Sequence, residues 1–523
     1  MATVRDDGLA YFVPGPENVV LVERVADASS NPDFSWENAT VYFMMTDRFK
    51  NGTSANDVGY PGREAQDEGI GGWYGGDFVG LTSELDYLQN LGVDAIWLSF
   101  PVEQVHGYVG GGDNGDFQHF AYHGYWPLDF TRIDANYGTE AELQTLVDEA
   151  HARGIRVIFD VVINHAGYAT LTDLGNYLPS VLQGDWQNFT PTGNQSWHSF
   201  NDFVNFGSQD WLNWWGREWI RAGFTNHIAP GSDDLTMSLS FLPDFRTESP
   251  SFVAPPPFYA GKADTRVEMI EDFRVRDYLV KWVTDWVAQF GVDGFRCDTA
   301  KHVEFESWQL LKDEATRKLA QWKTENPDKA IDDSPFWMTG EVFPHGVTRD
   351  EYFDNGFDSL INFDFQRDVQ SAVESLDTLG TLYETYAASI NSDPTFNVLS
   401  YISSHDTFLF FPRNGSDVGL QNDVGTAFML LPGAVQIFYG DESGREIWGN
   451  VSDAKQGTRS PMNWDSINSD VHDHWQKLGQ FRKRHPSIGA GSHTTISTAD
   501  GDLVFSRQLG DDAVVVAIMS DDA

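Results

Sequence analysis

The chain has 523 residues, of which 41% are hydrophobic and 14% are aromatic, so it can bury a large core, and two or three domains are expected. Its 78 Asp and Glu residues against 34 Lys and Arg residues give a formal net charge of -44 at pH 7. A chain this acidic is not expected to bind nucleic acid or an anionic membrane surface. The acidic residues are spread along the whole chain, a pattern that resembles proteins adapted to high salt.

The cysteine content and the N-terminal residues exclude further kinds of site and segment. Cys297 is the one cysteine of the sequence, which excludes an intrachain disulfide and a cysteine-based zinc or iron–sulfur site. The opening residues MATVRDDGLA lack the basic region and apolar stretch of a signal peptide, and no apolar run approaches the roughly 18 residues of a membrane span. The chain is therefore expected to have no membrane partner.

Eight short apolar runs recur along the chain, separated by longer amphipathic stretches. They predict buried strands at residues 41–45, 94–99, 155–162, 292–298, 336–342, 357–363, 396–404 and 434–440. Residues 139–154, with Thr139 as the N-cap, and residues 277–291 have apolar positions at three- and four-residue steps, which predicts helices. Strand and helix alternating eight times predict an α/β fold, the TIM (β/α)8 barrel.

Two stretches interrupt this alternation and suggest a division into domains. Residues 166–243 follow the third strand and are too long for an ordinary loop, which predicts an inserted subdomain between barrel segments 38–165 and 244–485. Residues 486–523 contain short strand-like runs, which predict the start of a C-terminal antiparallel β domain, truncated at Ala523. Residues 1–37 form an N-terminal extension, whose run VVLVERV is either an edge strand or the remnant of another domain.

Polar residues stand at the ends of four predicted strands. These residues are Asp160, Asn164 and His165 after strand three, Arg296, Asp298, Lys301 and His302 after strand four, Glu341 after strand five, and His405 and Asp406 after strand seven. The loops at the C-terminal ends of barrel strands carry the chemistry of this fold. A single Asp after a strand more often caps a helix, but capping does not explain the coincidence across four strands.

The converging carboxylates and one arginine match the needs of glycoside hydrolysis. That reaction uses one carboxylic acid to protonate the leaving oxygen and one carboxylate to attack the anomeric carbon or activate water. Arg296 lies two residues before Asp298, on the same face of the strand, and can hold Asp298 ionised. Glu341 follows Gly340 at an apolar strand end, where desolvation would keep it protonated until it donates. Cys297, between the arginine and Asp298, is expected to point away and to serve in packing.

Several short motifs resemble the α-amylase family of glycoside hydrolases. They are DVVINH (160–165), LPDF (242–245), GFRCDTAKHV (294–303), GEVF (340–343) and SSHD (403–406), and they occur in the family's order. The resemblance covers roughly residues 38–485. Within the family, EQVHGYVGGG, LPDFRTES, INFDFQ and QGTRSPMNW look most similar to the bacterial periplasmic α-amylases that act on maltodextrins, although these relatives commonly carry disulfides that this chain lacks.

The resemblance implies a role for each candidate residue. Asp298 would be the covalent nucleophile of a retaining mechanism, Glu341 the general acid and base, and Asp406 the third catalytic carboxylate. The other candidates would bind the substrate: His165, Arg296 and His405 at the sugar in the −1 subsite, Tyr125 beneath that sugar, and Lys301 and His302 on the +1 and +2 side. Asn164, Asp244 and the carbonyl of His302 match ligands of a structural Ca²⁺, a cation suited to oxygen donors.

The resemblance also leaves alternatives open. A glucanotransferase or an exo-acting amylase that forms maltooligosaccharides would carry the same Asp298, Glu341 and Asp406. A protein of another class, an inactive carbohydrate-binding protein on the same scaffold, would typically lack part of this triad. The expected partner is an α-glucan such as starch, glycogen or maltooligosaccharides. The expected protein is a monomer that is secreted or periplasmic.

Overall fold

The structure is a computed structural model, which describes residues 11–13, 19–23, 34–63, 65, 69–448, 454–498 and 501–519. The expected N-terminal extension and C-terminal domain therefore lie partly outside the described residues. The described strands, in chain order, are β1 Tyr11–Val13, β2 Val19–Glu23, β3 Thr40–Met44, β4 Ala95–Leu98, β5 Val102–Gln104, β6 Val109–Gly111, β7 Phe117–His119, β8 Pro127–Ile133, β9 Arg156–Val161, β10 Ile220–Arg221, β11 Asp244–Phe245, β12 Gly294–Cys297, β13 Trp337–Gly340, β14 Ser359–Asn362, β15 Val398–Tyr401, β16 Ala434–Phe438, β17 Ser492–Ser497, β18 Leu503–Leu509 and β19 Asp512–Ile518.

Eight of these strands form a closed parallel barrel. In chain order around the barrel they are β3, β4, β9, β12, β13, β14, β15 and β16, and β16 pairs in parallel with β3 to close it. Each of the eight overlaps one of the apolar runs that the sequence predicted to be a strand, and all are buried along their length. The prediction of a TIM barrel is confirmed, because strands buried on both sides read as continuous apolar runs.

Helices surround the barrel. In chain order the described α-helices are α1 Thr46–Phe49, α2 Phe78–Ser83, α3 Leu85–Leu91, α4 Glu140–Ala152, α5 Leu171–Tyr177, α6 Val275–Phe290, α7 Phe305–Glu325, α8 Phe363–Val373, α9 Leu376–Ile390, α10 Phe410–Arg413, α11 Val418–Met429, α12 Ala454–Gly457, α13 Ser469–Arg484 and α14 Ser487–Ala490. The α4 helix begins with a capping box in which the Thr139 side chain accepts from the Glu142 amide and Glu142 accepts from the Thr139 amide, as this residue pair favours.

The insertion after the third barrel strand contains α5 and several short 3-10 turns rather than long regular elements. Its core is aromatic: Trp211, Trp214 and Trp215 are each about 1% exposed. The insertion returns to the barrel through β10 and β11, which pair antiparallel with Arg221 opposite Asp244. Phe245 donates its amide to the carbonyl of Asn164 at 2.8 Å. This hydrogen bond fixes the end of the insertion beside the end of strand β9.

The C-terminal strands form an antiparallel sheet, as predicted, but the prediction did not include the two N-terminal strands that also belong to it. The five-stranded sheet has the order β1, β2, β19, β18, β17, so two N-terminal strands complete it. The β2 strand lies between β1 and β19, with Leu21 opposite Val516 and fully buried. The described part of the run, Val19–Glu23, is thus an interior strand of the C-terminal sheet, and β1, which precedes it in the chain, is at the sheet edge. Within the described residues, no helix is long and apolar enough to span a membrane.

Candidate active site

A cavity of about 680 Å³ opens at the C-terminal ends of the barrel strands. Its lining includes Asp298, Glu341 and Asp406 from three strand ends, together with Tyr125 and His165. Residues of the insertion, among them Trp197, form part of its wall. The structure therefore brings the three predicted catalytic carboxylates to one cavity between the barrel and the insertion.

Arg296 links the carboxylates at the floor of the cavity. It stands on β12 directly opposite Asp160 of β9, and its Nη1 donates to Asp160 at 2.7 Å and to Asp298 at 2.9 Å. Its Nη2 lies 2.9 Å from Oε2 of Glu341. The guanidinium is 1% exposed, so these ion pairs are made in a medium where charges interact strongly. One buried cation holds three carboxyl groups in place.

The backbone places Asp298 and Glu341 side by side. The amide of Asp298 donates to the carbonyl of Val161 at 2.9 Å, and the amide of Glu341 donates to the carbonyl of Cys297 at 3.0 Å, so strand pairing continues past the strand ends. Thr299 follows in a left-handed conformation with φ of 48°, and its amide donates to Oε2 of Glu341 at 3.1 Å. Cys297 is fully buried, in agreement with the alternation along the strand.

Asp406 lies across the cavity floor between two cationic or polar neighbours. His405 Nε2 is 2.9 Å from Asp406 Oδ2, and Arg459 Nη2 donates to Asp406 Oδ1 at 2.9 Å. The Tyr125 hydroxyl donates to Asp160 at 2.7 Å and lies 3.0 Å from His405 Nε2. Tyr125 and His405 stack with ring centroids 5.4 Å apart. These contacts connect the Asp406 group to the Arg296 group.

Burial sets the protonation of these groups. The pKa of Asp298 is raised to about 6, because burial and the carboxylates of Asp160 and Asp406 raise it by more than Arg296 lowers it. Burial also raises the pKa of Glu341, which Arg296 lowers and Asp298 raises. Burial raises the pKa of Asp406 as well, but His405, Arg459 and Arg296 outweigh this effect and hold it well below its usual value. The pKa of Asp406 is thus shifted in the opposite direction from those of Asp298 and Glu341, and environments that push the pKa values of neighbouring carboxyls apart are typical of acid–base catalysis.

The remaining predicted substrate residues lie in two places. His165 lines the cavity, its Nε2 donates to the carbonyl of Tyr125 at 3.1 Å, and burial lowers its pKa to about 4. His302 and Lys301 instead contact the insertion: His302 Nδ1 donates to the carbonyl of Asp234 at 2.7 Å, and Lys301 Nζ is 3.3 Å from the Asp234 carboxylate. The two residues thus join the turn after β12, the fourth barrel strand, to the insertion.

The predicted calcium ligands Asn164 and Asp244 lie beside each other where the insertion returns to the barrel. Asn164 and Asp244 are adjacent, because Phe245 bonds to the backbone of Asn164 and an isolated bridge pairs His165 with Asp244. Asp244 is 1% exposed and accepts from Arg221 at 2.7 Å, while Arg221 also bonds to Glu248. One guanidinium thus serves two carboxylates, which leaves negative charge beside oxygen donors of the kind Ca²⁺ prefers. The residues fit such an ion, although the described residues contain no group of three or more His, Cys, Asp or Glu side chains that could hold a metal.

Two residues of the site received no role in the sequence analysis. Asp160 stands at a strand end and was recognised as polar there, but its pairing with Arg296 depends on the register between β9 and β12. Arg459 lies in the motif QGTRSPMNW, about fifty residues after Asp406. Only the folding of the chain brings the two side chains into contact. The motif itself was the signal, because an arginine within a family-like motif marks a functional position.

Comparisons with known proteins agree with this geometry. Residues 43–214 and 268–486 match the family model described as the alpha-amylase catalytic domain. The periplasmic alpha-amylase of Escherichia coli (strain K12) is 50% identical over 531 residues, covering 99% of this chain and 77% of that protein. An alpha-amylase of Streptomyces lividans is 26% identical over 85% of this chain and 50% of that protein. The crystal structure of an alpha-amylase from Geobacillus thermoleovorans complexed with acarbose has a TM-score of 0.63 at 23% identity, covering 93% of this chain and 87% of that one, and is similar in fold.

The Arg296→Met substitution tests whether this guanidinium neutralises the buried carboxyls. Removing one partner of a buried ion pair is expected to lower the free energy of unfolding by about 3–5 kcal/mol. A carboxyl whose pKa in the folded chain exceeds its unfolded value of about 4 costs stability at high pH, and the cost fades as the pH falls through the folded pKa. The loss should therefore be larger at pH 8 than at pH 5.5 in urea denaturation.

The surface substitution Arg217→Met is the matched control, since its side chain is 57% exposed. It should change the free energy of unfolding by no more than about 0.5 kcal/mol at either pH. An equal loss for Arg296→Met at both pH values would contradict a charge-neutralising role, because loss of packing alone does not depend on carboxyl protonation.

Proposed function

The chain belongs to the alpha-amylase family of glycoside hydrolases, and we propose that it cleaves α-1,4-glucosidic bonds of starch and maltodextrins by a retaining double displacement. The observation that carries this proposal is the shared guanidinium of Arg296, which bonds to Asp298 through one nitrogen and to Glu341 through the other. Because both carboxyls bind one guanidinium and line one cavity, they can act on the same sugar unit; the retaining mechanism requires a carboxyl separation of about 5–5.5 Å and the inverting mechanism one of about 6.5–9.5 Å.

The first step uses the different protonation of the two carboxyls. In its protonated form, which burial favours, Glu341 donates its proton to the glycosidic oxygen as the C1–O bond breaks. The carboxylate of Asp298 forms a bond to C1, giving a glycosyl ester, and the released sugar leaves with a free hydroxyl. Arg296 keeps Asp298 ionised near neutral pH, since the pKa of Asp298 is about 6.

The second step reverses the roles. Glu341, now a carboxylate, takes a proton from water, and the water oxygen bonds to C1 as the ester bond to Asp298 breaks. The product keeps the configuration at C1, and both carboxyls return to their starting states. The charge that develops on the sugar ring lies near Asp406, whose pKa well below its usual value keeps it ionised throughout.

The other residues of the cavity would hold the sugar. Tyr125 would stack beneath the ring at the cleavage site, and His165 and His405 would bond its hydroxyls. Lys301 and His302, joined to Asp234 of the insertion, would face the leaving portion of the chain. Because the pKa of His165 is about 4, its ring carries no charge near neutral pH, and its Nε2 donates to the carbonyl of Tyr125.

Asp298→Asn tests the nucleophile and the function together. The amide does not form the ester, so kcat on soluble starch should fall by about a thousandfold or more, while the dissociation constant for maltoheptaose should change little. Asp113→Asn is the matched control, because Asp113 lines the same cavity and is exposed. Turnover retained in Asp298→Asn would reject Asp298 as the nucleophile.

The products of the wild-type enzyme decide between this function and its relatives in the same family. Linear products that shorten with time support hydrolysis. Cyclic or disproportionated products would instead identify a glucanotransferase, and a single short product from the start would identify an exo-acting amylase. The inactive binding protein is the alternative of another class, and the complete triad disfavours it.

We also propose that a structural Ca²⁺ is held by Asn164, Asp244 and the carbonyl of His302. These groups come from the segment after strand β9, from the end of the insertion and from the turn after strand β12, so the ion would join the insertion to the barrel. Bound Ca²⁺ would supply positive charge to the buried carboxylate of Asp244 and would not take part in bond cleavage.

Removal of calcium should therefore lower stability before it changes the chemistry. Ligand at a hundred times its dissociation constant stabilises the folded state by about 2.7 kcal/mol, so EGTA should lower the Tm by several degrees and added Ca²⁺ should restore it. Asp244→Asn should melt at a lower temperature and lose this response. A wild-type Tm that EGTA leaves unchanged would count against the proposed ion.

We further propose that the acidic composition adapts the chain to high salt and that the protein is an exported monomer. The Debye length falls from about 10 Å at 0.1 M salt to about 3 Å at 1 M, so NaCl should screen repulsion among 78 acidic residues. The Tm should rise between 0.05 M and 2 M NaCl. A Tm that does not change with NaCl, or that rises equally in an osmolyte such as glycerol, would contradict the screening.

The export part of the proposal is supported by the name of the periplasmic relative and is checked by cell fractionation.

A further inference from the structure

An unusual backbone turn lies in the insertion beside the cavity. Ser240 and Phe241 both have positive φ angles, of 48° and 63°. The left-handed region favours glycine, and a non-glycine residue held there costs of order 1–3 kcal/mol. Two successive residues in this region raise the cost, and such strain persists only where the surrounding structure imposes it.

Hydrogen bonds on both sides impose this turn. The hydroxyl of Tyr168 donates to the carbonyl of Ser240 at 2.7 Å, and the amide of Leu242 donates to the carbonyl of Leu239 at 2.8 Å. Two residues later, Pro243 accepts from the amide of Ala166 at 3.0 Å. The turn is thus fixed to the segment that follows strand β9. That segment also contains residues that line the cavity.

The strained turn presents an exposed ring. The side chain of Phe241 is 64% exposed, so its ring gains little of the roughly 1.5–3 kcal/mol that burying a phenylalanine provides. Its nearest aromatic partners are His198, with ring centroids 5.4 Å apart, and Trp197, at 6.0 Å. Strain without burial is not explained by folding stability.

The ring of Phe241 stands beside the catalytic cavity: Phe241 is not itself a lining residue, but its sequence neighbours and its ring partner Trp197 are. Leu239, Ser240 and Leu242, on either side of Phe241, line the same cavity as Asp298 and Glu341. Trp197 also lines it, and its carbonyl accepts from the amide of Gly110 at 2.9 Å. A side chain on Gly110 would meet that carbonyl at 2.6 Å, so glycine permits the approach. Phe241 and Trp197 therefore form a fixed aromatic surface at the cavity edge.

We propose that Phe241 is a specificity-determining residue that stacks on a glucose unit of the α-glucan, outside the unit held at the cleavage site. Phenylalanine has no polar atom, so its contact is with the apolar face of a pyranose ring rather than with a hydroxyl. The rigid turn removes the entropy cost of ordering the ring on binding, which favours affinity. This inference rests on the proposed function, since it assigns a further sugar contact to the same cavity.

The chain offers a matched control for the test. Phe252 is 63% exposed, nearly the same as Phe241, but, unlike Phe241, it has no sequence neighbour among the residues that line the catalytic cavity. Phe241→Ala and Phe252→Ala therefore remove the same exposed ring from two positions. Phe241→Tyr keeps an aromatic face and should restore the function. The Tm of each variant shows whether it is folded.

The experiment compares kcat/KM on maltooligosaccharides of increasing length. An aromatic contact of about 0.5–1.5 kcal/mol corresponds to about a two- to tenfold change. Phe241→Ala should therefore lower kcat/KM on maltoheptaose by this factor, mainly through KM, with little effect on the shortest oligosaccharide that is cleaved. Phe241→Tyr and Phe252→Ala should behave as wild type.

Binding of maltoheptaose in the Asp298→Asn background separates this inference from the proposed function. Phe241→Ala should weaken that binding by a similar factor, which does not depend on turnover. Equal behaviour of Phe241→Ala and Phe252→Ala in both assays would overturn the role of Phe241 alone. A wild-type chain inactive on starch that still binds maltoheptaose through Phe241 would overturn the proposed hydrolysis alone, and a chain that binds no α-glucan would overturn both.

Discussion

The buried guanidinium of Arg296 is the interaction on which the site depends. A cation with 1% exposure is stable inside a barrel only if carboxyl groups pair with it, and Asp160, Asp298 and Glu341 do so. The dependence is mutual, because the same carboxyls would repel one another without the cation. The charges are thus held by packing and by pairing together, and neither the acids nor the base can be exchanged alone without leaving an unpaired buried charge.

The closed barrel makes this arrangement possible. Parallel pairing in register puts Arg296 opposite Asp160, and Thr339 opposite Arg296 on the other side, so residues from three neighbouring strands face one another at a fixed depth. Backbone hydrogen bonds continue past the strand ends to Asp298 and Glu341. Because the positions of the two carboxyls are set by strand pairing rather than by loop conformation, the floor of the cavity is rigid before any substrate arrives.

Much of this could be predicted from the sequence, because its signals are local. Each barrel strand is an apolar run, and each catalytic carboxyl follows such a run, so fold class and candidate residues could both be read along the chain. Contacts between residues that are distant in sequence could not be predicted. The pairing of β2 with β19 joins residues nearly the whole chain apart, and the ion pair of Arg459 with Asp406 depends on a segment that follows β16, the strand beside β15. The short turns of the insertion have no periodicity from which a prediction could start, and their geometry comes from tertiary contacts such as Tyr168 with Ser240.

The barrel supplies the catalytic carboxyls of the cavity and the insertion supplies its recognition surface, and this division has a physical reason. Bond cleavage needs carboxyls held to within fractions of an ångström, and regular strands provide this through repeated hydrogen bonds. Recognition of a polymer needs a surface outside the cleavage point, and irregular backbone can present a side chain at an angle that no strand or helix allows. Ser240 and Phe241 use that freedom, since their left-handed conformations turn an apolar ring toward solvent at the rim. The insertion contributes to the cavity wall while staying fixed to β9 through Asn164 and Ala166, so the recognition surface and the catalytic floor share one rigid support.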